Sequence, residues 1–182
     1  MKNIFILKGT EKTFYGPMFD KVSKHFTEMG RQVFVPTLPT VQGMNYKNWE
    51  KVLEGFLNAG LITKDTTFVC HGIAAVFLVK FILNHKAPIK RAVLLDGFYA
   101  PTGDASIDAA YADFFEIDLR GFKTYCAERI CIYSDNANKT ISFDVLKTFA
   151  DFIYAENIYN RGSNSEVKAY ALEQVIRYVN RR

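Results

Sequence analysis

The residues best placed for chemistry are Cys70-His71-Gly72-Ile73-Ala74, where an apolar β-rich run, Thr66 to Cys70, meets a second apolar stretch, Ile73 to Leu83, through one sharp turn. The pattern reads as a buried strand entering a helix. Such a turn does nucleophilic chemistry when its central residue is a serine on strained backbone, with N–H donors at the helix start facing a developing oxyanion. The central residue here is Gly72, which has no side chain. The shape of a nucleophile elbow is expected without its nucleophile.

Other reactive groups lie close by in sequence. Cys70 and His71 are neighbours on a strand, so their side chains point to opposite faces and do not form a thiolate pair; Cys70 belongs in the core. His71 stands at the strand end, either facing the cleft or satisfied by a structural hydrogen bond. Asp96 and Asp135 follow later strands. Two carboxylates at one sheet edge could do acid/base work, but Asp96-Gly97 and Asp135-Asn136 are also ordinary turn chemistry. The helix start at Ile73 favours an anion, and Lys8 adds positive charge unless it is merely solvated. The three histidines have no cysteine or carboxylate at zinc-ligand spacing, so no metal or other cofactor is expected.

These groups need a scaffold, and 182 residues with 49% apolar side chains suffice for one domain, 1–182, with a continuous core. The net charge is +4, but lysines and arginines are scattered among acids, which argues against a nucleic-acid or membrane partner. The apolar stretch at the amino terminus, Ile4 to Leu7, is too short for a signal peptide or a membrane span, so a cytoplasmic protein is expected. Cys70, Cys126 and Cys131 lack CxxC spacing and read as reduced core residues.

Buried strands are expected at Asn3 to Leu7, Gln32 to Val35, Thr66 to Cys70, Arg91 to Leu95 and Arg129 to Tyr133, with a short one around Asn157 to Tyr159. Helical spacing marks Pro17 to Met29, the Trp49 to Leu57 face, Ile73 to about Asn84, Phe143 to Tyr154 and Glu166 to Tyr178. The aromatic and acidic stretch Pro101 to Gly121 reads as short helices forming a lid over the strand ends. Strands alternating with helices imply an α/β fold, a three-layer α/β/α sandwich around a mostly parallel sheet, with ligands at the carboxyl ends of its strands. Those ends include Lys8-Gly9-Thr10, Pro36, the elbow, Asp96-Gly97 and Ser134-Asp135.

The chain resembles the small α/β-hydrolases grouped with retinoblastoma-binding protein nine, a minimal serine hydrolase family. The likeness runs nearly the whole length. It rests on Gly9 after the first strand, the Pro36-Thr37-Leu38-Pro39 exit, and Trp49 opening the second helix. It rests also on the elbow within Phe68 to Ala75, the Leu95-Asp96-Gly97-Phe98 strand end, and Arg129 to Ser134 before an acidic turn. The resemblance implies an α/β-hydrolase-like fold and a serine, aspartate and histidine in that chain order. The serine falls on Gly72, the aspartate on Asn138, or on Asp135 or Asn136 if the turn shifts, and the histidine on Ser163. No histidine follows His85, and where the family's first loop has histidine before its glycine this chain has Lys8.

An alcohol nucleophile near neutral pH needs a base, and neither Asn138 nor Ser163 can serve as one. The expected function is therefore a non-catalytic pseudo-hydrolase that binds a small ligand, an anion among the candidates, or a protein partner in the former cleft. The cleft would be lined by Lys8, Gly9, Thr10, His71, Gly72, Ile73, Asp96 and Asp135. Two alternatives stand beside it: a hydrolase of small esters or amides with a rearranged site involving His71, Asp96 or a bound metal, and an interaction protein using lid aromatics Tyr111, Phe114 and Phe115.

Overall fold

The computed structural model describes residues 2–9, 15–40, 43–99, 105–134, 141–160 and 162–181. Six strands form one sheet: β1 (Ile4–Leu7), β2 (Val33–Phe34), β3 (Thr67–His71), β4 (Ile89–Leu95), β5 (Cys126–Ser134) and β6 (Glu156–Asn160). The helices between and after them are α1 (Gly16–Glu28), α2 (Tyr46–Asn58), α3 (Ile73–His85), α4 (Ala105–Phe115), α5 (Phe122–Tyr125), α6 (Phe143–Phe152) and α7 (Asn164–Asn180). Spatial order is β2-β1-β3-β4-β5-β6, and every neighbouring pair is parallel. The protein is a three-layer α/β/α sandwich.

Strand side chains alternate between two cores, which is why the strands are apolar on both faces. Phe5, Leu7, Phe68, Cys70, Ala92, Leu94 and Cys131 join Trp49 of α2, Phe77 of α3, Phe114 of α4 and Phe149 of α6. On the other face Ile4, Ile6, Val69, Val93, Leu95, Ile130 and Ile132 meet Phe19, Val22 and Phe26 of α1 and Val167, Ala171 and Val175 of α7. Helix α3 is buried along nine of its thirteen residues, so it carries no polar face of the usual kind.

Several boundaries differ from those expected. Helix α2 starts at Tyr46, a turn before Trp49, because the Asn45 side chain accepts the backbone N–H of Asn48 at 2.8 Å. Strand β5 begins at Cys126, not Arg129, and β4 at Ile89, not Arg91. The buried Arg91 forms a bidentate ion pair with Glu128 across the β4–β5 register, so polar residues extend both strands.

The described part of the lid segment is firmly seated. Helix α4 lies against α3, and Phe114 is fully buried between Trp49 and Phe77. Tyr111 and Phe115 are half-buried and pack on Phe98, at the carboxyl end of β4. The three rings do not form an exposed stripe. Among the described residues no helix is long and apolar enough to cross a membrane, and no group of three His, Cys, Asp or Glu side chains could hold a metal ion.

Candidate functional site

Only Gly72 separates β3 from α3, and it turns the chain with φ 57° and ψ −127°. Glycine meets no Cβ penalty there, whereas another L residue would be strained. Its N–H donates to the Leu95 carbonyl at 2.9 Å, tying the turn to β4. A side chain would have room, since the nearest atom to a Cβ would be Phe98 Cε1 at 4.0 Å. The N–H groups of Ile73 and Ala74 open α3 and have no acceptor within the helix.

The sheet order reverses between β1 and β3, because β1 leads to β2 on one side and β2 crosses over to β3 on the other. Open α/β sheets bind ligands in the crevice at such a switch point. Gly9 occupies it. With φ 76°, a Cβ on Gly9 would stand 2.7 Å from the His71 carbonyl oxygen and 3.5 Å from the Ala74 nitrogen. The loop after β1 thus lies directly against the elbow.

The side chains around this turn are committed elsewhere. His71 faces α1, its ring edge-on to Tyr15 at 5.3 Å and near Phe19 at 6.3 Å. Burial pushes its pKa down to about 4, opposed in part by a backbone hydrogen bond with Lys8, so the imidazole is neutral at pH 7. Cys70 lies on the opposite face in the core, and burial, followed by Cys126 nearby, raises its thiol well above the ordinary range. All three cysteines are free and buried. Lys8 is not merely solvated: its ammonium pairs with Asp20 at 2.8 Å, a surface ion pair that water screens.

Asp96 is not a solvated turn residue. It is 1% exposed, in left-handed backbone at φ 47°, with its N–H bonded to the Ile132 carbonyl at 3.0 Å. Beside it, Gly97 lets the chain pass close to Ala75 and Phe149. Ser163 is an exposed helix cap: its hydroxyl and its backbone N–H both donate to Glu166 Oε2, at 2.7 and 2.8 Å, closing a capping box on α7. Thr10, Asp135, Asn136 and Asn138 lie outside the described residues.

The structure therefore brings Lys8, Gly9, His71, Gly72 and Ile73 together, with Asp96 on the adjacent strand end, and leaves Ser163 at the start of α7. Sequence reasoning named Phe98 only within the Leu95-Asp96-Gly97-Phe98 strand end and did not place it at the site; it is buried beside Gly72 and packs on Tyr111 and Phe115. Its one signal was its place two residues beyond Asp96. Open space lies beside the turn, in a pocket of about 180 Å³ bounded by Lys8, Gly9 and the segment from Val35 to Leu38.

This arrangement of parallel sheet, flanking helices and strand-to-helix elbow is the α/β-hydrolase fold. Among solved structures, the ydeN gene product of B. subtilis matches with a TM-score of 0.78 and 16% identity over 100% of both chains. Est1E from Butyrivibrio proteoclasticus, solved with ferulic acid bound, matches with a TM-score of 0.69 and 11% identity over 97% of this chain and 90% of its own. An extracellular α/β-hydrolase from a Paenibacillus species, described as sharing structural and functional homology with tobacco salicylic acid binding protein 2, matches at 0.66 and 13% identity over 100% of both chains. No protein-family model and no curated protein matches the chain.

Proposed function

We propose that this chain is a non-catalytic relative of the small serine hydrolases, binding a small carboxylate-bearing ligand at the carboxyl ends of β1 and β3. One observation carries the reading: the elbow backbone is intact, and the residue on it is Gly72. The resemblance to the hydrolases grouped with retinoblastoma-binding protein nine supplies the alignment of Gly72, Asn138 and Ser163 with a triad. The absence of any histidine after His85 supports it, because neither Asn138 nor Ser163, at the aligned positions, can act as the general base that an alcohol nucleophile needs.

A rearranged hydrolase would have to use His71 or Asp96. His71 faces α1, and the neighbouring thiol, Cys70, lies on the other side of the sheet and is kept protonated. Binding needs less. The N–H groups of Ile73 and Ala74 favour an anion, and the pocket beside Gly9 offers Val35, Pro36 and Leu38 to an apolar body. The aromatic acids named for Est1E and for the salicylic acid binding protein suggest the first ligands to try.

The test is reaction with a broad fluorophosphonate probe read by intact mass, on the wild type and on Gly72→Ser, beside calorimetric titration with ferulate and salicylate. Absence of adduct on both proteins together with saturable binding of either acid is the expected outcome. A stoichiometric adduct on the wild type would overturn the non-catalytic reading. Failure of both acids to bind would remove the ligand class.

A further inference from the structure

The opposite edge of the sheet carries a second concave site with a different chemistry. At the amino ends of the strands a pocket of about 300 Å³ is bounded by Lys2, Arg31, Lys90, Arg91 and Arg181, with Asp65 as its acid. Apolar Ile4, Met29 and Val179, with the uncharged polar Thr67 and Asn180, supply the remaining wall. It shares no residue with the pocket beside Gly9.

Two of the five cations have structural work. Arg91, 1% exposed, is held by Glu128 and donates to the carbonyls of Val179 at 3.1 Å and Arg181 at 2.9 Å, which closes the end of α7. Arg181 pairs with Glu156 at 3.2 Å. Lys2, Arg31 and Lys90 form no ion pair among the described residues, and Arg31 and Lys90 are half-buried. Cations are favoured at helix ends, and α1 and α7 both finish here. Arg91, however, already serves the last carbonyls of α7, and the end of α1 is closed by the backbone N–H groups of Met29, Gly30 and Arg31, so no hydrogen-bonded cap calls for the other three side chains.

Like charges converging on one concavity repel, and the repulsion is relieved by a bound anion. A monocarboxylate is too weakly charged to answer three cations against one acid. Phosphate groups spread two or more negative charges over several acceptor oxygens, and the planar guanidinium of Arg31 suits them bidentately. We propose that this pocket binds a compact phosphorylated small molecule of about diphosphate size, independently of the elbow.

Inorganic pyrophosphate is the probe. Titration calorimetry of the full chain at low salt should give saturable binding of one equivalent, weakened at high salt. The Arg31→Gln/Lys90→Gln variant should lose affinity by roughly tenfold or more. Lys51→Gln, an exposed lysine on α2, should retain it. Arg91 is left unchanged because α7 depends on it, and thermal melts of each variant report whether the fold persists. Phosphorus NMR of pyrophosphate against the wild type gives a reading that needs no variant. No saturable binding, unchanged affinity in the double variant, or an equal loss in Lys51→Gln would each overturn the proposal. Since ferulate and salicylate report on the other edge, failure here and failure of the elbow reading are separable.

Discussion

A Cβ on Gly9 would stand 2.7 Å from the carbonyl oxygen of His71, so the loop after β1 and the elbow are in backbone contact. That contact brings β1 and β3 together at the point where the sheet order reverses, and it leaves no freedom for either partner to move aside. Gly9→Ala meets two penalties, a left-handed φ of 76° and a clash with backbone. Urea denaturation should show a loss of about 2 kcal/mol or more. An unchanged midpoint would mean that the loop is free to lift off the elbow.

Gly97 tests packing without the backbone penalty. Its φ is not in the left-handed region, but a Cβ there would lie 2.5 Å from Phe149 Cε1 and 2.8 Å from Ala75 Cβ. Gly97→Ala should cost about 1–3 kcal/mol through overpacking. Combining it with Phe149→Leu should recover part of the loss, since the ring is the nearer obstacle. A double-mutant cycle with no favourable coupling would show that Ala75, on α3, is what the methyl group meets.

These contacts mark where sequence patterning runs out. The elbow helix was legible to its first residue, because an apolar run broken only by Lys80 and bounded by Gly72 and Asn84-His85 admits little else. The parallel sheet followed from strands apolar on both faces. The first three residues of β5 were hidden because Glu128 looks like a loop residue until Arg91 is placed opposite it. Likewise, Asp96-Gly97 reads as ordinary turn chemistry, and only the packing of β4 against its neighbours shows Asp96 1% exposed. The start of α2 was readable in principle from Asn45, whose side chain caps the first turn. The place of Phe98 beside Gly72 was not, since it depends on α4 holding that ring in place.

His71 makes stability depend on pH. Its folded-state pKa of about 4 lies below the ordinary imidazole value of 6.5, so the unfolded chain binds more protons between the two. Stability is therefore full above pH 6.5, rises with pH across the window, and is lost as pH falls toward 4. The residue as a whole is half-buried, which limits the contribution to about 1–2 kcal/mol. Unfolding free energies at pH 7 and pH 5 should differ less in His71→Gln than in the wild type. Equal differences would place the titrating group elsewhere.

Ser163 stands where the resemblance puts a catalytic histidine, and its bonds explain what it does instead. One carboxylate oxygen of Glu166 receives both the Ser163 hydroxyl and the Ser163 N–H, and these bonds hold the Glu166 carboxyl below the usual range. Ser163→Ala removes the side-chain half of the box and should cost about 1 kcal/mol in urea denaturation. Because Ser163→Ala and Glu166→Ala break the same pair, the double variant should lose less than the two single losses added together. Ser163→Asp keeps a capping oxygen but faces Glu166 with a like charge, so it should fall between wild type and Ser163→Ala. Strict additivity of the single losses would mean that the two residues stabilise α7 separately, leaving position 163 without the structural role that accounts for its serine.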